Sequence, residues 1–133
     1  MIALDTNVLV RFIVEDDLEQ SRRVRSLIEE QFGRGLPCFV PDIVLVELVW
    51  VLGFTYQISR TRISNILRDL LGARQLCFDA TDRLTRALRA YASGKGDFAD
   101  YLIREQSKTA GCQAVATFDS DLFGDDSFMN VPE

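Results

Sequence analysis

The stretch 43-IVLVELVWVLGF-54 decides the fold. Ten of its twelve residues are apolar. The run is β-branched enough to suggest a strand, but strands usually run to between four and eight residues, so its length argues for a helix. Pro41 and Asp42 start that helix, with Asp42 as the expected N-cap. A helix this apolar is expected to be buried nearly all round, Trp50 included. Glu47 stands in its middle. A carboxylate taken out of water is costly unless it is protonated, paired or bound to a metal. Its helical neighbours Ile43, Val44, Trp50 and Val51 offer no partner.

With that segment helical, the rest of the chain falls into alternation. "IALD" reads as a short strand ending at Asp5, followed by a short helix, "NVLVRFIV". "EDDLEQSRRVRSLIEEQF" reads as an amphipathic helix with Leu18, Val24, Leu27, Ile28 and Phe32 near helical spacing, ended by Gly33 and Gly35. "LPCFV" and "QLCFD" are strands on either side of the helices "IVLVELVWVLGF" and "SRTRISNILRDLLG", the latter with Ser59 as cap. "TDRLTRALRAYASG" and "DFADYLIREQSKTAG" are two further helices. "CQAVATFD" is a strand ending at Asp119, and "FMNV" a possible fifth. This order predicts one α/β domain over residues 1–133, a parallel sheet of four to five strands with helices on both faces.

Composition narrows the function. A 133-residue chain that is 47% hydrophobic and 26% charged has the make-up of a globular domain and is not wholly disordered. No apolar run is long enough for a bilayer, and the N-terminus lacks the basic region of a signal peptide. Cys38, Cys77 and Cys112 form no CxxC pair and read as reduced core residues of a cytoplasmic protein. Histidine is absent, which excludes a His general base, a Ser-His-Asp triad and a His-rich zinc site. The net charge of −5 is concentrated at the C-terminal end: after Lys108 come Asp119, Asp121, Asp125, Asp126 and Glu133, and no base. That argues against a broad nucleic-acid-coating surface, not against a nuclease with a local basic rim.

The remaining chemistry lies with carboxylates. In open α/β sheets, ligands bind beyond the carboxyl ends of the strands, where Asp5 and Asp119 are expected. Glu47 comes from one helix, and Asp97 and Asp100 from the first turn of another. Each has a plain structural reading too. Asp5 caps the helix after it, Asp97 caps its own helix with Asp100 in a capping-box arrangement, and Asp119 or Asp121 caps a turn. Clustered carboxylates repel, and a hard divalent cation relieves that repulsion and serves phosphoryl transfer.

"LDTNVLV", "PDIVLVELVWVL", "DFADYLI" and "VATFDSDLF", in that order and spacing, resemble a PIN domain, in particular the VapC toxins of prokaryotic toxin–antitoxin pairs. The resemblance implies a three-layer α/β/α fold and an endoribonuclease dependent on Mg²⁺ or Mn²⁺. It implies Asp5, Glu47, Asp100 and Asp119 as catalytic, metal-holding acids, with Thr6, Asn7, Asp97, Thr117 and Asp121 in support. It further implies an RNA substrate, a homodimer, and an antitoxin that covers the acidic site. Arg60 and Lys95 are the expected phosphate contacts. Arg62, Arg68 and Arg74, with the cluster Arg22, Arg23 and Arg25, read as solvated helix faces. Phe12, Phe54 and Tyr56 are candidates for an apolar groove. The competing readings are a PIN nuclease of RNA processing or repair, a non-catalytic interaction module, and a haloacid-dehalogenase-type phosphatase. The last needs an acid where Asn7 stands.

Overall fold

In the computed structural model, which describes Met1–Glu133, the elements run α1 (Thr6–Ile13), α2 (Leu18–Gly33), β1 (Cys38–Val40), α3 (Asp42–Phe54), α4 (Arg60–Gly72), β2 (Leu76–Phe78), α5 (Thr81–Ser93), α6 (Phe98–Thr109), β3 (Val115–Thr117) and β4 (Phe128–Asn130). A single 3₁₀ turn, Ser120–Leu122, lies between β3 and β4. The alternation is the expected one, and the class is α/β. Two units divide the chain, Met1–Thr81 and Asp82–Glu133.

In the first unit, β1 and β2 pair in parallel with Cys38 opposite Leu76, Phe39 opposite Cys77 and Val40 opposite Phe78. The expected strand "IALD" is reduced to one parallel bridge, Ala3 to Phe39. It is held by Leu4 N–H donating to the Phe39 carbonyl (2.9 Å) and Phe39 N–H donating to the Ile2 carbonyl (2.8 Å). It can go no further, because Asp5 already serves as N-cap of α1. In the second unit, β3 and β4 pair in parallel, Val115 opposite Phe128 and Thr117 opposite Asn130.

The deciding helix is a helix, but it is not buried all round. Val44, Leu45, Leu48 and Leu52 face the core. Ile43, Glu47, Trp50 and Phe54 are exposed. Their spacing of four, three and four residues makes them one stripe of the helix. Trp50 is 62% and Phe54 71% exposed, and their rings stack at 4.8 Å. The core assignment of Trp50 and the burial of Glu47 are therefore corrected: a nearly uniform apolar composition concealed which face turns outward. The N-cap position belongs to Pro41, with Asp42 as first helical residue.

Helix α2 shows the opposite error. Its buried face is Ser21, Val24, Ile28 and Gln31, while Leu18 and Phe32 are exposed. Ser21 tolerates burial because its hydroxyl donates to the Arg11 carbonyl at 2.8 Å, which satisfies the polar group. Asp17 caps the helix through Gln20 N–H at 3.0 Å. Ser59 caps α4 as expected, accepting from Arg62 N–H at 3.3 Å. Cys38 is buried and Cys77 half-buried, but Cys112 is exposed, so it is not a core residue.

The second unit closes on Leu84, Ala87, Leu88, Tyr91, Phe98, Tyr101, Leu102, Leu122 and Phe128. Between α5 and α6 the loop must pass close to Tyr101 and Leu122. Gly96 N–H donates to the Tyr101 hydroxyl at 3.1 Å. A Cβ at Gly96 would stand 2.4 Å from Leu122 Cδ2 and 3.2 Å from Asp100 Oδ2, so a larger residue there would push the Leu122 side chain aside.

Candidate active site

Two of the expected acids belong to the first unit. Asp5 and Glu47 line one pocket of about 400 Å³ with Thr6, Asn7, Val10, Arg11, Val51, Thr55 and Tyr56. Asp5 Oδ1 accepts from Thr6 N–H at 2.7 Å, which fixes the carboxylate at the start of α1 and leaves Oδ2 uncommitted. Thr6 is buried, and its Oγ1 has no hydrogen-bond partner. Glu47 is exposed and makes no hydrogen bond or ion pair. Its claim on function therefore rests on sharing a pocket with Asp5, not on desolvation.

The other acids belong to the second unit. Asp97 N–H donates to Asp100 Oδ2 at 2.8 Å, one arm of the expected capping box. Burial raises the Asp100 carboxyl above the usual range, and the charges of Asp97 and Asp119 add to the rise, against the Asp97 N–H bond that lowers it. Asp119 N–H donates to Thr117 Oγ1 at 3.0 Å, and Asp119 Oδ1 accepts from Asp121 N–H at 3.0 Å. The capping and ligating readings of these acids are thus compatible. In Asp5, Asp100 and Asp119 alike, one oxygen bonds a nearby backbone N–H and the other stays available.

The donor set suits a hard divalent cation: carboxylate oxygens, the orphaned Thr6 hydroxyl and the amide of Asn7. Asp100 lacks any cationic partner and is surrounded by like charge, which is the electrostatic condition such an ion would relieve. No group of three or more acids meets the geometry needed to hold a metal by itself.

Two charged constellations are not legible in the sequence. Beside the Asp5 pocket, Arg11 Nε donates to Gln20 Oε1 (2.7 Å) and Arg11 Nη1 to Asp16 Oδ1 (2.5 Å). The Tyr56 hydroxyl donates to Asp16 Oδ2 at 2.9 Å. Tyr56 lowers the Asp16 carboxyl and raises the Arg11 guanidinium, so both stay charged. Tyr56 is thereby a polar anchor, and it also lines the acid pocket.

The second constellation surrounds Glu105, which is 2% exposed. Arg86 Nε (2.6 Å), Arg104 Nε (3.0 Å) and Lys108 Nζ (3.8 Å) converge on it, and Arg104 Nη1 also reaches Asp125 Oδ2 at 2.6 Å. Burial pushes Glu105 up, but the Arg86 and Arg104 bonds outweigh it and hold the carboxyl below its usual range. The legible signal was position: Phe98, Tyr101, Leu102 and Glu105 share the buried face of α6.

Of the basic residues, Lys95 is exposed and lines a second-unit pocket with Asp121 and Asp125, while Arg60 is half-buried in the first turn of α4. Arg25 pairs with Glu15 and lies 5.9 Å over the Phe12 ring. No helix is long and apolar enough to cross a membrane.

A PIN domain is matched across residues 2–125. The chain is also similar to a protein described as VapC ribonuclease from Aquifex aeolicus (strain VF5). The two are 28% identical over 118 residues, covering 89% of this chain and 87% of that relative.

Proposed function

This chain belongs to the PIN domain family, and from that membership we propose that it is a cytoplasmic, divalent-metal-dependent endoribonuclease, the toxin of a VapC-like toxin–antitoxin pair. The likeness to the Aquifex aeolicus ribonuclease supports this choice. The observation that carries it is the shared state of three acids. Asp5, Asp100 and Asp119 are each oriented by one hydrogen bond from a backbone N–H, and each keeps a second oxygen for a ligand.

In this reading residues 1–133 form one domain, a three-layer α/β/α fold with a central parallel sheet of four to five strands. Asp5, Glu47, Asp100 and Asp119 hold Mg²⁺ or Mn²⁺. When bound, such an ion lowers the pKa of water and stabilises the attacking and leaving oxygens of a phosphodiester. The chain's own residues set the geometry. Thr6 N–H fixes Asp5, Asp97 N–H fixes Asp100, and Asp121 N–H with Thr117 Oγ1 fixes the Asp119 turn. Thr6 Oγ1 and Asn7 orient water at the pocket. An in-line attack by water on phosphorus that breaks the P–O3′ bond leaves 5′-phosphate and 3′-hydroxyl ends. The active form is a homodimer, and a protein antitoxin that covers the acids holds it inactive.

The test is sequencing of the RNA ends made by wild type and by Asp5→Ala. The expected result is 5′-phosphate ends, absent in Asp5→Ala and abolished by EDTA. Cleavage that persists in EDTA and yields cyclic phosphates would overturn the assignment.

A further inference from the structure

A second pocket, about 610 Å³, lies on the first unit and is lined by Asn7, Val8, Arg11, Gln20, Arg23, Val24 and Leu27. It shares Asn7 and Arg11 with the pocket of Asp5 and Glu47, so the two adjoin at α1. Their charges are opposite in kind. The acid pocket has two carboxylates, whereas this one has two arginines, two amides and no carboxylate in its lining.

Arg11 stands where they meet, and it is held unlike a solvated surface arginine. Gln20 takes its Nε and Asp16 its Nη1, while Tyr56 braces Asp16 from α3's C-terminal flank. The guanidinium plane is fixed by these bonds, and Nη2 is left without a partner in the unit. A pre-oriented planar fork with a spare N–H suits a phosphate oxygen better than a mobile ammonium does. Arg23 sits further along the same pocket. Its neighbours Arg22 and Arg25 lie outside the lining, and Arg25 faces Glu15 and Phe12.

We infer that this pocket is the backbone subsite for the RNA strand beside the cut, with Arg11 and Arg23 each contacting a phosphate. The inference rests on the ribonuclease reading above and specifies where that substrate lies. An acidic protein segment would match the same charge. RNA is favoured because Arg11 and Asn7 also line the acid pocket, which the substrate must reach.

The experiment uses a labelled single-stranded oligoribonucleotide carrying a cut site mapped by end sequencing. KM and kcat are measured over a salt series for wild type, Arg11→Lys, Arg23→Gln and the control Arg22→Gln. Expected is a KM raised about tenfold in Arg11→Lys with kcat within about twofold, the pattern of lost uniform binding. For Arg23→Gln, the slope of log KM against log salt should fall by about 0.7, one phosphate contact on a single strand. Arg22→Gln should match wild type in both. Because Arg11 also holds Asp16, its variant is read only with an unchanged melting temperature, and Arg23→Gln carries the test alone if that fails. Wild-type cleavage with unchanged KM and salt slope in Arg23→Gln overturns the subsite and leaves the ribonuclease standing. The same unchanged values with weakened binding of an inhibitory protein would assign the pocket to that partner and overturn it too. A wild type that cuts no RNA overturns both.

Discussion

Asp100 and Glu105 stand on the same helix, α6, in opposite electrostatic company. Glu105 is buried among Arg86, Arg104 and Lys108, and its carboxyl is held below the usual range. Asp100 is half-buried among Asp97 and Asp119, and its carboxyl is held above that range. One acid is answered by bases and the other by acids. A charge that serves the fold needs compensation inside the chain. Asp100, in the first turn of its helix, has one oxygen anchored by Asp97 N–H and the other without a partner.

That contrast breaks first at Glu105. Glu105→Ala removes the carboxylate that Arg86 and Arg104 share, leaves Arg104, only 13% exposed at its side chain, to Asp125 alone, and should cost about 1.5–3 kcal/mol of stability by chemical denaturation. A loss under 1 kcal/mol would mean the network is ornamental. Asp100→Asn should do the reverse. It keeps an acceptor for Asp97 N–H, relieves repulsion and leaves the melting temperature equal or higher, while RNA cleavage falls roughly 10²–10³-fold, the scale for one group of a preorganised site. An active Asp100→Asn enzyme would return Asp100 to a plain capping role.

The pH dependence sharpens the comparison at a smaller scale. Glu105 has a lowered folded-state pKa, so its contribution is full above the ordinary glutamate range and is lost as pH falls through the folded value. Melting temperature should therefore drop on acidification, and drop less in Glu105→Gln. At the bottom of the scale lies the surface pair Arg34–Glu30, exposed by 65% and 61% at its side chains. Arg34→Ala should change stability by no more than about 0.5 kcal/mol.

The element order was legible because helix and strand lengths separate cleanly along this chain. Ser59, Asp5 and Asp97 announced their helix starts, since short polar side chains at those positions answer free backbone N–H groups. Facing was not legible. In α3 the apolar count hid an outward stripe, and in α2 two polar residues, Ser21 and Gln31, took buried positions that Leu18 and Phe32 seemed to claim. Among the site residues, Asp5 and Glu47 share a pocket, and Asp100 feels Asp97 and Asp119. The network of Arg11, Asp16, Gln20 and Tyr56 was not legible because it joins α1 and α2 to a residue forty positions on. No local spacing rule reports that.

The stacked Trp50 and Phe54 give the protein a built-in optical probe. Trp50 is the chain's single tryptophan, it is open to solvent, and it lies one turn from Glu47. All indole emission therefore comes from one place, with the red-shifted colour of a wet ring. Anything that settles over that face of α3 should shift the spectrum to the blue, while unfolding should move it very little. Occupancy of that face of α3 can thus be titrated on the unlabelled native chain.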